Sequence, residues 1–259
     1  MKEKKFLIAG IIILLSMFFF LEKSIFYLAG NHQDELKTFS EKSQNSSEEK
    51  KKKQIDELKR VALSFDDGPN PSTTPQLLNI LKEKQVCATF FVLGENTSNC
   101  PEIVKQIKKE GHEIGSHTYD HQDLSQISIE EIQLEVLKTD EILEKIIGEK
   151  ATFLRPPYGS ITDLGVRLIN RPIIAWSVDS EDWKTRDAEQ IFQKIKETVY
   201  NGSILLFHDI YPETVSIIPK IIDYLHEQGY QLTSVGALLN YPKEARIYYG
   251  KGDSRLVTS

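Results

Sequence analysis

From Arg60 to Ser234 the chain alternates between short apolar runs and amphipathic stretches of helical period, and this alternation constrains the fold more than any other feature. Apolar runs at 61–65, 87–92, 112–115, 152–154, 173–178, 203–207 and 231–234 read as strands. Helices are predicted between them at 74–84, 101–111, 128–147, 162–169, 187–200 and 214–228. Their ends carry local signals. Pro75 suits a first turn, Gly111 and Gly148 suit left-handed stops, and Ser128-Ile-Glu-Glu131 is a capping box. Strands separated one by one by helices predict a mainly parallel α/β sheet, either a barrel or doubly wound. No internal repeat is visible, and 241–259 has no clear period and reads as a loose tail.

The polar residues fall at particular places in this pattern. Asp66 and Asp67 follow the first strand, His117 and His121 the third, Arg155 the fourth, Asp179 and Asp182 the fifth and His208 the sixth. In a parallel α/β barrel the carboxyl ends of the strands share one face, where active sites are built. The stretch Ser-Phe-Asp-Asp-Gly-Pro at 64–69 stops an apolar run with two adjacent carboxylates and a turn. Side chains alternate along a strand, so these neighbours do different jobs: one can hold a metal while the other stays free as a base. His117 and His121 stand at i, i+4, which on a helical turn points both imidazoles the same way. With a nearby carboxylate they make a His-His-Asp set, the pattern of a hydrolytic metal site with an open position. His208 ends an apolar strand, and Asp182 and Asp209 are the candidates to orient and charge it.

Residues before 58 belong to a different class of sequence. Lys2, Lys4 and Lys5 precede an apolar run over 6–21, extended by a second patch at 25–29, which has the layout of a secretory signal or membrane anchor. No Ala-x-Ala cleavage pattern is present, so 1–30 is expected to be an uncleaved anchor with the remainder outside the cell; cleavage would make the protein secreted. Residues 31–57 are polar and charged and read as a solvated tether. The net charge of −6 divides into +3 over 1–60 and −9 over 61–259, which disfavours nucleic acid and fits a neutral glycan. No obligate protein partner is evident. The two cysteines, Cys87 and Cys100, permit one disulfide, with Cys87 as a buried free thiol being the simpler reading of its apolar run.

Five segments taken together resemble the polysaccharide deacetylases, the NodB-homology or carbohydrate esterase four family. They are Ser-Phe-Asp-Asp-Gly-Pro at 64–69, His-Thr-x-x-His at 117–121, Arg-Pro-Pro-Tyr-Gly at 155–159, Asp-Ser-Glu-Asp-Trp at 179–183 and Leu-Phe-His at 206–208. The resemblance covers 58–240 and implies a distorted (β/α) barrel of about seven parallel strands that removes acetyl groups with a divalent metal. It implies Asp66 as general base, Asp67, His117 and His121 as metal ligands, and Arg155 as the residue that orients Asp66. It also implies the Tyr158 backbone N–H as oxyanion donor and Asp182 as the carboxylate that raises the pKa of His208, the general acid. Pro156 would stiffen the loop, and Trp183 and Leu206 would wall the acetyl pocket. Zinc is the expected metal, with cobalt or nickel as alternatives. An anchored, outward-facing domain implies an N-acetylglucosamine-containing envelope glycan, peptidoglycan first. Chitin oligomers, an exopolysaccharide, acetylxylan, or an inactive wall-binding module remain the alternatives.

Overall fold

The computed structural model describes residues 58–257. The first strand, β1 (Arg60–Asp66), is the centre of the architecture, and its residues from Val61 to Phe65 are almost wholly buried. Then follow α1 (Thr74–Glu83), β2 (Thr89–Val92), α2 (Gly94–Asn99), α3 (Pro101–Lys109), β3 (Glu113–Ser116) and α4 (Ile129–Ile147). The capping box at Ser128 forms with both of its hydrogen bonds, and Gly148 closes α4 in the left-handed conformation at φ 77°. After a 3-10 turn at Pro157–Gly159 come α5 (Asp163–Ile169), β4 (Ile173–Ile174), β5 (Val178–Asp179), α6 (Asp182–Thr185) and α7 (Ala188–Thr198). The chain then makes β6 (Ile204–His208), α8 (Pro212–Glu227), β7 (Gln231–Thr233), α9 (Val235–Leu239), β8 (Ile247–Gly250) and β9 (Asp253–Arg255).

Parallel pairing runs β3-β2-β1-β6-β5, with β7 beside the start of β1. The circuit closes on the far side through a single residue: Leu154 bridges Ser116 of β3 and Ile173 of β4, both parallel. The expected strand at 152–154 is therefore one residue long, bridged on both sides. The expected strand at 173–178 is split in two, because Ile173 and Ile174 pair with β8 while Val178 and Asp179 pair with β6. The result is a parallel α/β barrel with a distorted seam, and this resolves the sequence alternatives in favour of the barrel.

Alternation along each strand separates two cores. Ala62, Phe91, Ile174 and Ile204 point into the barrel, which Val235 and Leu238 of α9 help to fill. Their neighbours Val61, Leu63, Phe65 and Phe90 point outward against Leu77 and Leu81 of α1, Ile107 of α3, Ile195 of α7 and Ile218, Ile221 and Ile222 of α8. Phe65 stacks between Phe90 and Phe207 at centroid distances of 5.4 and 5.7 Å. Each such fully buried side chain contributes about 1.5–3 kcal/mol.

Two expectations are corrected here. The stretch after 240 is not a loose tail: β8 pairs in parallel with β4 and antiparallel with β9, and Gly250 bridges back to Ser203. Its strands, Ile-Tyr-Tyr-Gly and Asp-Ser-Arg, are too short to show a period recognisable in sequence. Cys87 is neither buried nor bridged; it lies in the irregular stretch before β2, is exposed, and like Cys100 is a free thiol. The expected anchor and tether at 1–57 lie outside the described residues. Among the described residues no helix is long and apolar enough to cross a membrane.

Candidate active site

Asp66 is the last residue of β1 and is 2% exposed. Its Oδ1 accepts a 2.7 Å hydrogen bond from Arg155 Nη1, which also donates to Ser64 Oγ at 2.9 Å. Arg155 is wholly buried, its Nε and Nη2 donating to the carbonyls of Ile174 and Ala175 and its guanidinium lying 4.1 Å from the centroid of the Phe91 ring. Burial pushes the Arg155 pKa down, and the charge and hydrogen bond of Asp66 oppose that shift. The pair is a buried one in which each ion is the other's main compensation.

Asp67 turns away from its neighbour. Its φ of 73° is left-handed, and its Oδ1 lies 3.4 Å from Nε2 of both His117 and His121. His117 Nδ1 is 2.7 Å from the carbonyl oxygen of Arg155; a carbonyl only accepts, so Nδ1 carries the proton and Nε2 presents a lone pair. Burial lowers the pKa of His121, disfavouring its charged form.

These three residues fit a divalent cation. Their ligand atoms all lie within 4.8 Å of one another, and Asp67 Oδ1 is buried with no hydrogen-bond partner. A carboxylate oxygen facing two imidazole lone pairs is repulsive until a cation lies among them. The segment that carries the histidines is not the helical turn expected from their spacing. It is irregular, with Thr118 and His121 both at φ 69°, and two left-handed residues rather than a helix bring the rings together. The ring centroids are 5.0 Å apart.

Across the pocket, Asp182 and His208 form a second pair. Asp182 is fully buried, with Oδ1 2.7 Å from His208 Nδ1 and Oδ2 accepting from Thr214 Oγ1 at 2.8 Å. Burial would lower the His208 pKa, but the hydrogen bond and charge of Asp182, helped by Asp66 and Asp67, lift it to about 9. Asp209, the other expected partner, turns instead to accept from Thr74 Oγ1 and packs against Gly68; burial raises its carboxyl to about 7.

A cavity of about 450 Å³ joins both pairs, with Asp66, Asp67, His117, His121 and His208 in its wall. This is ordinary for a small-molecule site. Leu206 lines it and is buried, whereas Trp183 stands half exposed at its rim. Tyr158 also lines it at 70% exposure, φ 59°, with its ring packed edge-to-face on that of His121 at a centroid distance of 4.7 Å. Pro156 is buried and lies outside the lining. Trp176 and Tyr211 line the cavity but were not singled out from sequence. Trp176 lies in an apolar run like any core residue; Tyr211, three residues beyond His208, carried a weak positional signal.

Residues 53–171 match the family model described as polysaccharide deacetylase. A solved T48 deacetylase with substrate superposes at a TM-score of 0.72, with 42% identity, over 74% of this chain and 96% of that one. The chain belongs to the polysaccharide deacetylase family. A peptidoglycan-N-acetylglucosamine deacetylase of Bacillus cereus is 38% identical to this family member over 72% of the chain and 70% of its own length. The peptidoglycan-N-acetylglucosamine deacetylase PgdA of Listeria monocytogenes is 41% identical over 77% of the chain, which spans 43% of that relative's length.

Proposed function

We propose that the domain hydrolyses the N-acetyl group of N-acetylglucosamine in a cell-envelope polysaccharide, peptidoglycan first, releasing acetate and a free amino sugar. The observation that carries this reading is one pocket with three groups in complementary states. They are a carboxylate paired with a buried guanidinium, a His-His-Asp trio, and an imidazole held protonated by Asp182. The names of the relatives support the substrate class.

In this reading Asp66 takes the proton of the attacking water, and Arg155 keeps its carboxylate ionised and aimed. Asp67, His117 and His121 would hold the divalent cation, which when bound supplies Lewis-acid polarisation of the acetamide carbonyl. The backbone N–H of Tyr158 donates to the oxygen on which charge develops. Protonated His208, steadied by Asp182, gives its proton to the nitrogen as the C–N bond breaks. Leu206 and Trp183 enclose the acetyl methyl, and Pro156 stiffens the loop beneath Tyr158. Zinc is the first choice of metal for a His-His-Asp set, ahead of cobalt and nickel. Residues 1–30 would anchor the protein in the cell membrane and 31–57 would tether an outward-facing domain that begins at 58.

The test is acetate release by the purified protein from peptidoglycan and from N-acetylglucosamine oligomers, with and without chelator. Chelator-sensitive release is expected. Silence on both substrates with metal bound would overturn the reading. Asp66→Asn separates an enzyme, which loses turnover, from a glycan-binding module, whose binding is unchanged.

A further inference from the structure

The buried stripe of α4 contains a residue that its surroundings do not explain. Ile132, Glu135, Val136, Thr139, Asp140 and Leu143 recur at helical spacing on the inward face. Asp140 is partnered by Arg171, whose Nη1 lies 3.0 Å from its Oδ1. Glu135 is 4% exposed and does something else: its Oε2 accepts from the backbone N–H of Tyr119 at 2.8 Å and of Asp120 at 3.1 Å. A carboxylate taken out of water costs several kcal/mol unless it is well hydrogen-bonded. Tyr119 and Asp120 lie between His117 and His121.

The two histidines are held differently. His117 is fixed at both ends, by its backbone N–H to Val92 at 2.8 Å and by its ring to the Arg155 carbonyl at 2.7 Å. His121 is 27% exposed at its side chain and follows a left-handed backbone at φ 69°. Carbonyls of the intervening loop are tied by Gly94 N–H to Thr118 and by Glu95 N–H to Tyr119, at 2.9 and 3.0 Å. Glu135 is the matching tie on the amide side. Together these hold a strained segment open in the one shape that brings His121 to 3.4 Å from Asp67.

We propose that Glu135 is a positioning residue of the metal centre, clamping the Tyr119–Asp120 backbone so that His121 joins His117 and Asp67. The inference rests on those three residues being the cation site. Its test is metal affinity, independent of turnover: titration of the metal-free full-length protein with Co²⁺ and Zn²⁺ against a competing chelator, with the visible spectrum of the cobalt form as a second readout. Glu135→Ala is expected to bind metal about 10–100-fold more weakly and to alter the cobalt spectrum. Glu135→Gln, which keeps an acceptor at the same reach, is expected to stay near wild type. Should Glu135→Ala fail to fold, Glu135→Asp keeps the charge but withdraws the acceptor by one methylene, and it too is expected to lose affinity. A folded Glu135→Ala or Glu135→Asp protein with wild-type affinity and spectrum overturns the inference, even if its melting temperature falls. Wild-type protein that binds neither metal removes the site itself, a distinguishable result.

Discussion

Asp182 grips both ends of His208. One carboxylate oxygen lies 2.7 Å from the ring Nδ1, and the other accepts from the His208 backbone N–H, also at 2.7 Å. The ring can therefore neither rotate nor lose charge easily. With Nδ1 engaged, Nε2 is the nitrogen left to exchange a proton in the pocket.

Asp182→Asn removes the charge but keeps a polar group of the same size. The His208 pKa should fall from about 9 toward the ordinary imidazole value of 6.5. An acid works only while protonated, so activity limited by His208 persists below its pKa and fades above it. The alkaline limb of kcat/KM should move to lower pH in the variant, and a pH–rate profile measures it. The same raised pKa ties folding to pH: the contribution of the pair is fully present below 6.5 and is lost as pH rises through about 9. An unmoved alkaline limb would mean that another group is the acid.

Arg155→Ala should be costly to the fold as well as to the site. It strands the Asp66 carboxylate in a place that is 2% exposed and removes the donors that satisfy two carbonyls. A loss of about 3–5 kcal/mol in denaturant unfolding is expected, together with loss of acetate release. A variant as stable as the wild type would show that water replaces the guanidinium.

Chelation should abolish acetate release, and added zinc or cobalt should restore it. Asp67→Asn should weaken metal binding by at least about tenfold, since one ligand oxygen and its charge are replaced by an amide. Calorimetric titration of the metal-free variant reads this directly. Metal binding equal to that of wild type would exclude Asp67 as a ligand.

Gly68→Ala tests how tightly the carboxylate turn is packed. A Cβ at that position would collide with both carboxylate oxygens of Asp209, which is fully buried and bonded to Thr74. The turn must shift, and Asp67 with it. Destabilisation of about 1–3 kcal/mol and a weaker metal site are expected. Thermal melting and the same metal titration check both; an unchanged melting temperature would show that the Asp209 side chain yields freely.

The order of strands and helices, the capped start of α4 at Ser128, and the clustering of Asp66, Asp67, His117, His121 and His208 at strand ends were legible in the sequence. These depend on short-range rules: periodicity, capping chemistry, and the common direction of parallel strands. The particular roles expected of Arg155 and Tyr158 came from the family resemblance, since nothing local to those residues names a partner, and strand-end placement left Asp182 and Asp209 as equal candidates to charge His208. Only the tertiary structure decided the rest. It joins Asp182 to His208 and Arg155 to Asp66 across long stretches of chain, closes the barrel through the two bridges of Leu154, and folds 247–255 into strands. It brings Trp176 and Tyr211 to the cavity and leaves Cys87 exposed. It also bends 117–121 through left-handed residues instead of a helix. In these cases the outcome turns on which distant backbone or side chain arrives alongside, and apart from the nearness of Tyr211 to His208 a residue's own neighbours in sequence carry no record of that.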